Sequence, residues 1–302
     1  MFYIANILLH TVLPFALLGI IFDKIFLMKI IFCFIVFFTA GICAKAQFYY
    51  NDIVVTQQVN KQHMLLRTNH VQLVSAKSFT ENNEQVEGFY IEQQVENNAG
   101  KIVTNTATLS TGKSVSVSIY TNNHLSKTLD SSGFVTSTTV YNYDANNLIT
   151  TINSITNDTF MKSHNEEIHE WHYNGTTPVS MLRIKDKTDT TVIEFITDEQ
   201  GNIAEERWKR KNVLIETYYY YYNDKHLLTD IVRFNKKAKR LLPDFLFTYN
   251  EKDQLAGLTQ IPESSGSYLT WNYFYNDNGL KQKELCFDKQ KQLVGKIEYT
   301  YQ

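Results

Sequence analysis

The chain has 302 residues, 43% hydrophobic and 14% aromatic, with a formal charge of −2. Its charge balance argues against a general nucleic-acid binder, and its length is enough for one large β domain or two smaller ones. Tyr and Phe number 19 each against 4 Pro, a composition suited to many strands.

Met28-Lys29 starts a short basic region, and 30–42 is apolar and free of charge. Ala44-Lys45-Ala46 then offers a small-x-small cleavage site, which predicts a signal peptide over 28–46 and a mature N-terminus at Gln47. Cys43 has no small residue directly before it, which argues against a lipid-anchored cysteine. Phe2 to Phe22 is mostly apolar and long enough to cross a bilayer. Residues 1–27 are therefore either a start-site artefact, with translation beginning at Met28, or an extra membrane segment; we read them as the former. Residues 1–46 hold three lysines and one aspartate, so processing takes the charge from −2 to −4. Of three cysteines only Cys286 survives, so no internal disulfide can form in 47–302. That stretch is read as a single domain, because no Pro/Gly/Ser-rich linker interrupts it.

The first expected element is a short helix over 56–69. It has Thr56 as its cap and Val59, His63 and Leu66 at helical spacing. A strand follows over 71–79. Residues 114–120 and 134–143 alternate like strands, with Asp130-Ser-Ser-Gly133 as the turn between them.

From residue 128 onward a repeat takes over, an aromatic pair followed by an Asn/Asp turn and an aliphatic residue. The second positions of the pairs are 143, 173, 197, 222, 249, 275 and 301, which lie 24 to 30 residues apart. Residues two apart in a strand share a face, so each pair puts two rings on one side. Tyr218 to Tyr222 must place rings on both. The next strand opens with an aliphatic residue and often another three on, as in Ile149/Ile152, Val179/Leu182, Leu228/Ile231 and Leu255/Leu258. A unit of about 25 residues at roughly 3.3 Å each holds two strands and two turns. The expectation is an all-β fold, an antiparallel meander of about a dozen strands with one short helix near the mature N-terminus.

The pattern Y-x-Y-[ND]-x-x-[GN]-x-[LI] resembles the YD/RHS-type repeats of bacterial exported proteins. Tyr143-Asp144, the run from Asp198 to Ile203 and the run from Tyr275 to Leu280 match best. The whole mature chain, opening at Tyr50-Asn-Asp-Ile53, is also similar to small exported proteins of Bacteroidetes-type bacteria. The resemblance covers 128–302 and implies an aromatic-lined sheet, sometimes curled into a shell, with no catalytic residues. Thr197 departs from the second Tyr, and only Gly201 and Gly279 fill the motif's Gly slot.

No catalytic, cofactor or metal site emerges. His164, His169 and His172 could suggest zinc, but strand parity puts His169 opposite His172, and they read as surface and strand-end histidines. Glu205-Glu206 and Glu166-Glu167 are adjacent on strands and point apart. No phosphate loop, serine elbow or HExxH helix is present. Cys286, between Leu285 and Phe287, reads as a small core residue.

The turns carry a sharper signal. Those halfway through the repeats hold a net +8, and those after the aromatic pairs a net −5, which predicts a basic and an acidic rim. The basic rim would comprise Arg207, Lys209, Arg210, Lys211, Lys236, Lys237, Lys239 and Arg240. Its expected partner is an anionic envelope glycan, lipid headgroup or protein. Membrane contact is expected only through the precursor segment or this rim. The leading expectation is a non-catalytic exported binding or structural protein of the cell envelope, in the periplasm, on the outer membrane or secreted. The alternatives are a carrier that shelters a lipid or other apolar ligand on the aromatic face, and a glycan-acting hydrolase.

Overall fold

The computed structural model describes residues 48–108, 112–262 and 267–302, all within one compact unit. The signal segment, Cys43, Gln47 and residues 1–27 lie outside the described residues. Among the described residues one α-helix, α1 (Asn51–Thr68), precedes eighteen strands. The first seven are β1 (Leu73–Thr80), β2 (Tyr90–Glu96), β3 (Lys101–Thr108), β4 (Gly112–Thr121), β5 (His124–Ser132), β6 (Val135–Tyr143) and β7 (Ile149–Asp158). Then come β8 (Ser163–Asn174), β9 (Thr177–Lys185), β10 (Asp189–Thr197), β11 (Ile203–Arg210), β12 (Val213–Tyr222) and β13 (Leu228–Asn235). The last five are β14 (Arg240–Tyr249), β15 (Leu255–Gln260), β16 (Leu269–Tyr275), β17 (Lys281–Asp288) and β18 (Leu293–Tyr301).

Each strand pairs antiparallel with the next, and β18 pairs with β1 from Val74↔Tyr301 to Thr80↔Gly295. The meander therefore closes into an 18-stranded barrel without edges. The expected dozen strands fall short because the two-strand unit continues upstream with Ser, Thr and Val in place of aromatic pairs. β5 lies between the two expected strands 114–120 and 134–143 and takes up Asp130 to Ser132, so the expected Asp130–Gly133 turn shrinks to Gly133-Phe134.

Closure has a local cause in each repeat. The register shifts at the second member of six of the seven aromatic pairs, at His172/Tyr173, Tyr221/Tyr222, Thr248/Tyr249, Phe274/Tyr275, Asn142/Tyr143 and Ile196/Thr197. One extra residue sits at the start of the following strand, and such bulges bend and twist a sheet. The bulge also explains the aliphatic spacing of three. Leu228 faces inward, Thr229 is extra, Asp230 faces outward and Ile231 is again inward. In the copy at 178–182 the loop is one residue shorter, so Pro178 and Met181 take the inward slots and Val179 is exposed, correcting the Val179/Leu182 pairing.

Most turns after the aromatic pairs are tied by side chains. Asp144, Asp198, Asn223, Asn250 and Asn276 each accept backbone N–H groups of their own turn, as when Asn223 Oδ1 accepts from Lys225 and Leu227 at 3.0 Å. The second tyrosine then donates its hydroxyl across the adjacent strand. Tyr143 reaches the Leu125 carbonyl, Tyr222 reaches Ile203, Tyr249 reaches Leu228, Tyr275 reaches Leu255 and Tyr301 reaches Lys281, all at 2.6–2.9 Å. We call this the Asx end and the opposite one the basic end.

α1 begins at Asn51, earlier than expected, and Thr56 is a buried interior residue whose hydroxyl donates to the Asp52 carbonyl, not a cap. Residues 51–55 include Ile53, Val54 and Val55, weak helix formers whose helical state needs tertiary support. Ile53, Thr56, His63 and Leu66 face the barrel wall. Phe48, Tyr49 and Ile53 join Trp171, Met181, Ile193, Tyr218, Tyr220 and Ile231 in one core, while Leu66 packs with Val74, Val95, Ile102 and Leu280 in another. Cys286 is fully buried.

Candidate functional site

A polar clamp inside the barrel and the basic end both concentrate chemistry. The clamp starts from Glu206, the inward member of the Glu205-Glu206 pair. It is fully buried, and its carboxylate accepts from the Tyr49 N–H at 2.7 Å, the Tyr50 N–H at 2.9 Å, the Tyr220 hydroxyl at 2.5 Å and Trp208 Nε1 at 2.6 Å. Burial pushes the Glu206 carboxyl up, while these four donors oppose the rise. A negative charge beside the start of α1 also complements the helix dipole. Glu205 points outward to Arg207 at 2.6 Å.

In the first turn of the helix, Asp52 accepts from His169 Nδ1 at 2.6 Å and from Trp171 Nε1 at 3.3 Å. His169 Nε2 meets Glu167 at 2.9 Å, and Arg183 donates to Glu167 at 2.6 Å. Both imidazole nitrogens thus donate to carboxylates. Burial works against the charged ring, yet Asp52 and Glu167 outweigh it and lift His169 to about 9. Burial likewise opposes ionisation of Glu167, but His169 and Arg183 hold it at about 2. His169 is therefore a buried ion-pair residue and not a surface histidine. His172 and His164 are exposed, as parity places them.

The sequence pattern hides the clamp for a nameable reason. Glu206 occupies the second inward slot of its repeat, which Ile152, Ile231 and Leu258 fill in others. Glu284 does the same in the last copy, meeting Lys281 Nζ at 2.8 Å and the Tyr299 hydroxyl at 2.7 Å. Once the bulge is read into the repeat, both carboxylates fall on buried positions.

The basic rim is redistributed. Arg207, Lys209 and Arg210 belong to β11 and not to a turn. Arg207 pairs with Glu205, Lys209 with Glu194 at 2.7 Å and Arg210 with Asp189 at 3.3 Å. Lys211 occupies the β11–β12 turn, and Lys236, Lys237, Lys239 and Arg240 form the β13–β14 connection and its exit. Those two hairpins lie about two strand spacings apart, or roughly 10 Å. Lys162, Lys187, Lys211, Lys239 and Lys291 all adopt positive φ, between 48° and 65°, and all sit in hairpin turns at this end. A side chain with a Cβ pays for that conformation, and lysine gains nothing locally from it. At the Asx end the positive-φ residues are Asn122, Asn123, Asn147, His226, Asp253 and glycines.

No protein-family profile and no curated protein matches the chain. Solved structures similar in part include the Tc holotoxin pore of Photorhabdus luminescens, at 12% identity and a TM-score of 0.32, over 71% of this chain and 12% of that one. A porin-like protein from Bacteroides uniformis is similar at 10% identity and a TM-score of 0.38, over 77% and 96%. A second porin-like protein, from Bacteroides vulgatus, is similar at 10% identity and 0.25, over 77% and 98%.

Proposed function

We propose that this chain is a non-catalytic exported barrel of the cell envelope whose basic end binds an anionic partner. The observation that carries the reading is the gathering of Lys211, Lys236, Lys237, Lys239 and Arg240 on two hairpins of one end, with lysines held at positive φ. Export rests on the 28–46 sequence pattern. The inward carboxylates support a non-catalytic role, since Glu206 is filled by four donors and Glu167 by His169 and Arg183. The carrier alternative loses its surface, because Phe48, Tyr50 and Ile53 of the chain itself cover the aromatic wall, with Phe48 edge-on to Tyr220 and Phe245.

Contact with a membrane would be peripheral. Outward strand positions carry charges well away from the turns, among them Lys77, Glu194, Arg207 and Lys296. A lysine or arginine on the lipid face of a spanning barrel costs about 2–4 kcal/mol at the bilayer midplane. None of the described helices is long and apolar enough to cross a membrane.

The test is binding of the processed protein to an anionic polysaccharide and to anionic vesicles across a salt series. Changing Lys236, Lys237, Lys239 and Arg240 to Gln should leave the melting curve unchanged and remove most of the salt-sensitive binding. Wild-type protein with no salt-sensitive binding to either surface would refute the reading.

A further inference from the structure

Resting on the reading of the basic end as an anion-binding face, we propose that its ligand is an anionic lipid bilayer, into which the hairpin tips of that end insert apolar side chains. Among the described residues seventeen large apolar side chains are exposed, and ten of them sit in or within three residues of the connections at the basic end. By the same measure the Asx end has Val179, Tyr221 and Phe274, all of them on strands, so ordinary surface scatter does not account for the distribution. Phe160, Met161 and Phe134 are 71%, 69% and 64% exposed, and Val213, which follows the Lys211-Asn212 turn, is 63% exposed.

The first of these tips is built to point outward. Asp158 Oδ1 accepts the Phe160 and Met161 N–H groups at 2.9 and 2.8 Å, and the Thr159 N–H donates to the Phe134 carbonyl at 3.0 Å. That geometry stacks the Phe160 ring on Phe134 with centroids 5.6 Å apart, across two neighbouring hairpins. Lys162 follows directly. At the β11–β12 hairpin the same pairing recurs, with Lys211 beside Val213, Leu214 and Ile215, all exposed. At β13–β14 the basic run is flanked by exposed Phe234 and Leu241.

Cations interleaved with apolar tips suit an interface with an anionic headgroup layer above an apolar phase. A protein partner fits less well. Protein hot spots cluster near the centre of one patch, whereas these tips run from the β5–β6 to the β13–β14 hairpin, about eight strand spacings or roughly 40 Å along the rim. A glycan offers nothing for Val213, Leu214 and Ile215 to enter.

The experiment uses the processed protein recovered from cells and sedimentation with vesicles of phosphatidylethanolamine and phosphatidylglycerol. Phosphatidylethanolamine vesicles and a soluble anionic polysaccharide serve as controls. Phe134→Ser, Phe160→Ser and Met161→Ser together should lower partitioning onto anionic vesicles at least tenfold, with the melting curve and polysaccharide binding unchanged. A Phe160→Trp variant should show a blue-shifted, quencher-protected emission on anionic vesicles only. If the triple Ser variant partitions like wild type, or the emission of the introduced indole does not respond, insertion is overturned and a headgroup-only contact remains. Binding to polysaccharide without binding to vesicles overturns the lipid assignment but leaves the anion-binding reading standing. Binding to neither overturns both.

Discussion

The two ends of the barrel are made by the same hairpins and differ in almost every other respect. At the Asx end, side-chain caps, tyrosine hydroxyls and the last turns of α1 reinforce one another. Asn60 Oδ1 accepts the Leu125 N–H at 2.8 Å just past the Asn122-Asn123 turn, and Leu65 packs beside Gly279. His63 stacks on Tyr120 at 3.8 Å, with neither ring nitrogen hydrogen-bonded among the described residues. At the basic end, lysines and large apolar residues project outward from turns of mixed type, of which, among the described residues, 288–292 alone repeats the Asx tie, with Asp288 Oδ1 accepting from Gln290 and Gln292. The difference teaches that the repeat encodes closure and rigidity chiefly at one end, which leaves the other end freer to vary.

The largest expected effect tests whether the Asx end depends on the clamp below it. Glu206→Ala strands the Tyr49 and Tyr50 N–H groups, the Trp208 indole and the Tyr220 hydroxyl without an acceptor. Each orphaned donor costs about 1–3 kcal/mol, partly offset by removing a buried charge, so the net loss should be about 3 kcal/mol. Urea denaturation measures it. Hydrogen exchange should speed up in 51–68 before it does in the strands, and uniform exchange would mean that the helix is not held there.

Next comes the Asp52–His169–Glu167 network, through pH. His169 is raised from 6.5 to about 9, so its contribution is complete below pH 6.5 and is lost as pH rises toward 9. Glu167 is lowered from 4.5 to about 2, so its contribution is present above pH 4.5 and is lost as pH falls toward 2. Stability should be greatest between about pH 4.5 and 6.5, with an alkaline loss on the order of 2 kcal/mol. Asp52→Asn should flatten that alkaline limb. An unchanged limb in the variant would assign it to another group.

Smaller still is the tyrosine tie. Tyr249→Phe removes only the bond to the Leu228 carbonyl, and should cost about 1 kcal/mol and loosen the 250–254 turn. The same change at Tyr221, which points outward at the same end of β12, should cost nothing measurable, and equal losses would deny the tie its role.

Much of the Asx end is legible in the sequence, because tyrosines two apart, an Asn or Asp and a positive-φ slot each impose a backbone requirement that leaves a residue signature. His226 and Asp253 fill the slot that Gly201 and Gly279 fill elsewhere, which is why the Gly pattern reads as broken. β4 to β7 are harder. Hydrophobicity would turn Val115, Val117 and Ile119 inward. Closure instead puts Ser114, Ser116 and Ser118 on the inside, where Ser114 meets Thr106 at 2.6 Å and Ser116 pairs across from Asp130, whose carboxyl is pushed up by burial. Only ring closure fixes that parity, and no local pattern reports it. The cations of 207–210 are misplaced by sequence reasoning because a charged run reads as a turn, while here it alternates along a paired strand.

The smallest expected effect separates the ends by its sign. Lys239 and Lys211 hold φ of 52° and 48°, a region where a Cβ crowds the backbone and glycine is at ease. Lys239→Gly should therefore stabilise the barrel by about 0.5–1 kcal/mol, the relief of strain exceeding the entropy that glycine gains in the unfolded chain. Lys211→Gly should behave likewise, since Lys211-Asn212 is a tight two-residue hairpin of the kind that favours Asn and Gly. At the Asx end, Gly201→Lys recreates the strain at φ 87° and should destabilise by at least as much, with no compensating contact. If the basic end is a binding surface, both lysine variants should gain stability and lose binding to anionic vesicles together, because strain is retained there for the sake of the charge. Thermal melts and vesicle sedimentation on the same samples decide it. Gained stability with undiminished binding would show that the left-handed lysines serve no partner.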